Sequence, residues 1–166
     1  MKPMRFARRL DRVFVFAALA LTFSIPAAAL GFSNEPVDFR GIQWGARIGE
    51  LRGMQFLAEE GDLKFYEREN DPMLLENVRL DRIVYGFYKD QFFTAMVYYA
   101  SLADFLNLKD ILSRNHGEPF RPEETPNRYF WSGEQIDILL IFNENTLSGR
   151  VSYFFKPLQK QAEGRQ

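Results

Sequence analysis

The stretch that most constrains this 166-residue chain runs from Leu80 to Tyr99. Leu80 to Tyr88 reads as a strand with Ile83, Tyr85 and Phe87 on one face. Lys89-Asp90 reads as a hairpin turn, and Phe92 to Tyr99 as the return strand. That return strand is apolar on both faces. Such strands should be covered on both sides, so either two sheets stack or an aromatic surface is left exposed.

The rest of the chain supplies further strands and few helices. Phe39 to Gly45 is a short extended segment ending in a turn. Ile48, Leu51, Met54 and Leu57 recur at helical spacing and predict a short first helix, weakened by Gly49 and Gly53. Leu63 to Arg68 alternates as a strand, and Glu69 to Asn77 contains Asn-Asp-Pro and reads as a loop. Ser101 is a good N-cap for a second helix, with Asp104 at the capping-box position. Its stripe is Leu102, Phe105, Leu108 and Leu112, widened by Leu106 and Ile111, and Gly117 closes it. Three strands follow the loop Glu118 to Pro126: Arg128 to Trp131, Gln135 to Phe142 and Leu147 to Phe155.

The expected class is therefore α+β, with antiparallel sheet and two helices in the order helix-βββ-helix-βββ. That order suits a tandem αβββ pseudo-repeat. At an offset of 55 residues Ile83 meets Ile138, Phe87 meets Phe142 and Tyr98 meets Tyr153. Residues 30–158 are expected to form one domain, and 159–166 a polar disordered tail.

The N-terminus reads as an export signal. Lys2, Arg5, Arg8, Arg9 and Arg12 form a basic start, Val13 to Ile25 an apolar run, and Ala27-Ala28-Ala29 a small-residue site after Pro26. Residues 1–29 are expected to be a cleaved signal peptide, the weaker alternative being a retained anchor of marginal length. Either reading places the domain outside the cytoplasm, periplasmic or secreted. Removing residues 1–29 takes away five bases and one acid, so the net charge moves from −1 to −5. A net acidic domain has no evident affinity for nucleic acid or anionic membranes. The absence of cysteine excludes disulfides, thiolate metal sites and a lipidated N-terminal Cys.

Phe39 to Gly45 and Ile83-Val84-Tyr85-Gly86-Phe87 resemble a loose group of small exported bacterial proteins of unassigned function. The helix-then-three-strand order is similar to outer-membrane assembly factors of the small-protein-A type and to beta-lactamase inhibitor protein. The resemblance implies a helical layer on an antiparallel sheet that binds other proteins. It carries over no functional residue, because no motif matches residue by residue.

Chemistry-bearing motifs are sparse. His116 is the sole histidine and suits the last turn of a helix. Seven acids between Glu59 and Glu76 lack calcium-loop spacing and read as a solvated edge. Gly41, Gly45, Gly49 and Gly53 recur every four residues, but Arg47, Glu50 and Arg52 forbid a membrane helix there. No cofactor or metal is called for. Carboxylates such as Glu123, Glu134 and Asp137 leave a hydrolase as the remotest reading.

Aromatic residues are the strongest remaining signal, at 26 in the sequence. The leading expectation is a non-catalytic module that binds another envelope protein through an aromatic sheet face. The rival is a small-ligand binder with an aromatic pocket between helix and sheet. For both, the candidate binding residues are Trp44, Tyr85, Tyr88, Tyr98, Trp131 and Tyr153.

Overall fold

The computed structural model describes residues 32–122 and 127–164. The expected signal segment lies outside the described residues. The architecture is α+β, built on one seven-stranded antiparallel sheet. Strands β1 (Asp38–Phe39) and β2 (Ile42–Gln43) form a small hairpin, followed by a 3-10 turn at Ile48–Glu50. Then come β3 (Met54–Glu60), β4 (Leu63–Arg68), a second small hairpin of β5 (Leu74–Leu75) and β6 (Val78–Arg79), β7 (Arg82–Tyr88) and β8 (Gln91–Ala100). Helix α1 (Leu102–His116) crosses to β9 (Arg128–Ser132), β10 (Ile136–Asn143) and β11 (Ser148–Phe155), and α2 (Lys156–Glu163) follows.

The sheet order is β3-β4-β7-β8-β11-β10-β9. Two meanders are thus joined edge to edge by β8 and β11, with Val97 opposite Val151 at the seam. Lys89 and Asp90 both have positive φ, 48° and 64°, as a two-residue turn matched to strand twist demands.

This topology corrects the expected order helix-βββ-helix-βββ. The first helix does not form. Gly53 sits at φ +72°, and Arg47 and Leu51 are extended, so the helical periodicity of Ile48 to Leu57 is carried by a 3-10 turn and an edge strand. The tandem pseudo-repeat falls with it. In β8, Phe93 is an extra residue between Gly86↔Thr94 and Phe87↔Phe92. That bulge reverses which side chains meet which face. Tyr98 therefore lies on the face opposite Tyr153, and the 55-residue echo breaks.

One sheet face carries the main core. Ile83, Tyr85 and Phe87 of β7, Val97 and Tyr99 of β8, and the even-numbered residues Ile136 to Phe142 of β10 meet Phe105, Leu108, Ile111 and Leu112 of α1. The β1–β2 hairpin caps the same face through Phe39, whose ring lies 5.1 Å from Tyr153 and 5.8 Å from Tyr85. Ser101 caps α1, its Oγ accepting from the Asp104 backbone N–H at 3.2 Å. Leu102 and Leu106, expected in the buried stripe of α1, are exposed.

The second face carries Phe65, Val84 and Met96. At one end α2 packs Leu158 against Tyr88 and Phe93. Residues 159–163, expected in a disordered tail, are helical. Leu158 and Ala162, one helical turn apart, are the apolar residues that hold this helix to the sheet.

Gly149 shows how tightly the seam is packed. A Cβ there would lie 2.3 Å from the Ile141 carbonyl oxygen and 2.4 Å from the Tyr99 hydroxyl, which itself donates to that carbonyl at 2.7 Å. Gly149→Ala is expected to cost about 1–3 kcal/mol. Gly49→Ala, where no atom lies within 4 Å of the added methyl, should change stability by less than about 0.5 kcal/mol. Urea midpoints of the two variants check both.

Candidate functional site

The six aromatic candidates do not converge. Trp44 is half-buried, stacked on Phe92 at 4.8 Å, and its Nε1–H donates to the Pro36 carbonyl at 2.9 Å. Trp131 is buried, and its indole N–H donates to Gly117 at 2.7 Å, tying β9 to the end of α1. Tyr85 and Tyr153 are buried in the main core. Tyr88 is buried on the other face against α2, where its hydroxyl donates to the Gln161 carbonyl at 3.3 Å. Tyr98, half-buried, also lies on that second face. Four of these side chains thus fill one core and two belong to the opposite face.

The most organised polar group in the interior joins three residues that no sequence motif links. Tyr85 donates its hydroxyl to Asp71 at 2.5 Å, and Asp71 is paired with the Arg40 guanidinium at 2.8 Å. The Asp71 side chain is only 2% exposed, so its charge depends on these partners. Arg40 also donates to the carbonyls of Pro72 and Leu74. One guanidinium thereby fastens the β1–β2 hairpin to the β5–β6 loop and, through Asp71, to the sheet. Burial, reinforced by the adjacent Asp71 carboxylate, raises the Tyr85 hydroxyl far above its ordinary range. Tyr85 therefore acts as a fixed donor. Arg40 at φ +53° sits in a tight turn before Gly41, which no periodicity argument singles out.

The acidic run between Glu59 and Glu76 resolves into separate partnerships. Glu67 pairs with Arg82, Glu69 accepts from Gln55 at 2.9 Å, and Glu76 meets Arg114 at 3.2 Å. Among the described residues no three His, Asp or Glu side chains gather as a metal site would require. An open cleft of about 570 Å³ lies beside this region, lined by residues including Gln55, Glu67, Arg68, Glu69 and Arg82. Within it Glu67 pairs with Arg82, and Gln55 donates to Glu69. Of the carboxylates named for hydrolysis, Asp137 is held by Lys156 at 2.9 Å and Ser132 at 2.6 Å. Glu123 lies outside the described residues.

His116 ends α1 and holds the incoming chain. Its Nδ1 lies 3.0 Å from the Asn34 carbonyl oxygen, and Phe32 stacks on its ring at 5.4 Å. Glu35 then accepts the backbone N–H groups of Glu134, Gln135 and Ile136. The lead-in segment is thereby tied to the β9–β10 turn.

The sheet's two edges differ. At β9, Phe120 and Phe130 exchange backbone hydrogen bonds of 2.8 Å in both directions. At the other edge, β3 pairs with β4 alone among the described strands, and Phe56 upon it is 56% exposed. Comparison with protein families, curated proteins and solved structures finds no significant match.

Two variants test the interior group. Asp71→Ala removes the counter-charge of the part-buried Arg40 guanidinium and the acceptor of a buried hydroxyl, and is expected to cost about 2–4 kcal/mol. Tyr85→Phe leaves the Arg40–Asp71 pair in place and should cost about 1–3 kcal/mol by urea unfolding. His116 supplies a pH test. Burial holds its imidazole below the ordinary 6.5, outweighing the Asn34 and Ser33 backbone contacts that raise it. The unfolded chain therefore takes up the proton first on acidification. Stability should be full above 6.5 and fall as pH drops toward the folded-state value. In His116→Gln that segment of the stability–pH curve should flatten.

Proposed function

We propose that this chain is an exported, non-catalytic module that binds another envelope protein, taking an extended segment of its partner onto the free edge of β3. The compartment follows from the basic, apolar and small-residue order of residues 1–29. The observation that carries the binding mode is the asymmetry of the sheet edges. The β9 edge is occupied by Phe120, whereas β3 offers unpaired backbone beside an exposed Phe56. Unpaired edges are templates for strand addition, with side-chain contacts supplying selectivity.

Edge strands are usually guarded, and β3 is guarded over half its length. A bulge at Leu57 interrupts its register, and Glu59 and Glu60 follow. Pairing is thus confined to the Met54–Phe56 half. The two glutamates favour a partner segment carrying Lys or Arg at that end. The aromatic sheet face first expected to bind is engaged in packing, so the binding surface moves from the face to the edge.

The test is affinity capture of the tagged chain from an envelope extract. A stoichiometric partner is expected, and Phe56→Asp should reduce its recovery at least tenfold. Leu106→Asp, on the exposed side of α1, should leave recovery intact, with circular dichroism confirming that both variants fold. Loss on Leu106→Asp with retention on Phe56→Asp would assign the interface to α1 instead.

A further inference from the structure

The free edge of β3 and the open cleft of about 570 Å³ share a strand, because Gln55 belongs to both. Register fixes how they are related. Met54 pairs with Arg68, Gln55 with Glu67 and Phe56 with Tyr66. The Phe56 ring meets the Tyr66 ring at 5.7 Å, on the face that carries the main core. Side chains alternate along a strand, so Gln55 and Glu67 lie on the opposite face. There they line the cleft together with Met73, Asp81 and Arg82. Glu69, also in the lining, is held against the start of β3. Its backbone N–H donates to the Gly53 carbonyl at 2.8 Å, and its carboxylate accepts from the Gln55 amide at 2.9 Å.

The charges of this cleft are unevenly matched. Three carboxylates and two guanidinium groups line it, which leaves one net negative charge. Arg82 is paired with Glu67, and Arg68 donates to the Arg40 carbonyl at 3.3 Å. Glu69 receives only a neutral amide on its side chain, and Asp81 is exposed. Among the described residues neither of these two carboxylates is paired with a lysine or arginine. Met73, 40% exposed, adds an apolar side chain to the same lining. Carboxylates beside an exposed apolar side chain suit a residue with an aliphatic stem and a cationic head.

We infer that the segment docked on β3 places a lysine or arginine in this cleft, directly after the apolar residue that packs on Phe56, a recognition that rests on strand addition at that edge. The neighbouring strands of the sheet all pair antiparallel, and an added strand is most stable in the same sense. Its residue opposite Phe56 then faces the same way as Phe56, and the following residue, opposite Gln55, faces the cleft. A long basic side chain there meets Glu69, which is bonded to both Gly53 and Gln55, and shares the cleft with Asp81. This requirement is separate from the one at Glu59 and Glu60, which lie past the bulge at Leu57. The partner is thereby read as an apolar-basic pair in that order.

The test is fluorescence anisotropy of the full chain with dye-labelled, end-blocked hexapeptides. The probe is Thr-Val-Phe-Lys-Val-Thr, compared with a version carrying norleucine in place of lysine and with the order-reversed Thr-Val-Lys-Phe-Val-Thr. The lysine probe is expected to bind about fivefold tighter than either, the scale of a few partly exposed charge contacts. In Glu69→Gln with Asp81→Asn that preference should vanish while affinity for the norleucine peptide stays the same. Circular dichroism establishes that this double variant folds. Equal binding of the lysine and norleucine peptides, both lost in Phe56→Asp, would overturn the inference and leave the edge reading standing. A lysine preference that survives Glu69→Gln with Asp81→Asn would overturn it by assigning the preference to Glu59 and Glu60. Binding of no peptide, or binding unchanged by Phe56→Asp, would overturn the edge reading and this inference with it.

Discussion

The seam between β8 and β11 is the constraint on which the rest of the molecule depends. Each strand ends a meander, and each is buried on both faces, so neither can serve as an edge. Their pairing, from Ser148↔Ala100 to Phe154↔Thr94, turns two incomplete sheets into one. It also fixes what must cover that sheet. On one face α1, the β1–β2 hairpin and the β5–β6 hairpin meet the core. On the other, α2 reaches back from the end of β11 to Tyr88 and Phe93. The crossing by α1 exists because β9, not β11, follows β8 in the chain, although β11 must lie beside it.

Polar groups inside this frame are placed with unequal provision. Asp71 is supported on two sides, by Tyr85 and Arg40, and its charge stays buried because both partners are present. Trp131 and Tyr99 each donate to a backbone carbonyl. Among the described residues the Thr94 and Ser152 hydroxyls, on the opposite face, have no such partner.

Much of the local structure was legible because its signals were redundant. The hairpin from Leu80 to Tyr99 combines two long β-rich runs with a turn, and α1 combines an N-cap, an apolar stripe and a terminal glycine. The stretch from Ile48 to Leu57 misled because apolar residues at helical spacing also suit a 3-10 turn followed by a partly covered edge strand. Helix α2 escaped notice because few apolar residues anchor it. The bulge at Phe93 left no mark in composition, yet it decides the face on which Tyr98 lies. The site residues were harder still. Aromatic abundance drew attention to Trp44, Tyr85, Trp131 and Tyr153, which fill the main core. Arg40 and Asp71 meet only after two loops have folded.

The position of β11 in the chain also sets the order in which the molecule can be completed. It is the last of the described strands in the chain, yet it belongs in the interior of the sheet. Until it emerges, β8 stands as an open edge with apolar side chains on both sides, and α1 has only half a sheet beneath it. The molecule therefore cannot be finished from one end to the other as the chain grows. Closure waits for a contact distant in sequence, a topology associated with slow folding and with exposure to aggregation on the way. Until β11 is in place, the two-sided apolar edge of β8 is a template for pairing with other chains.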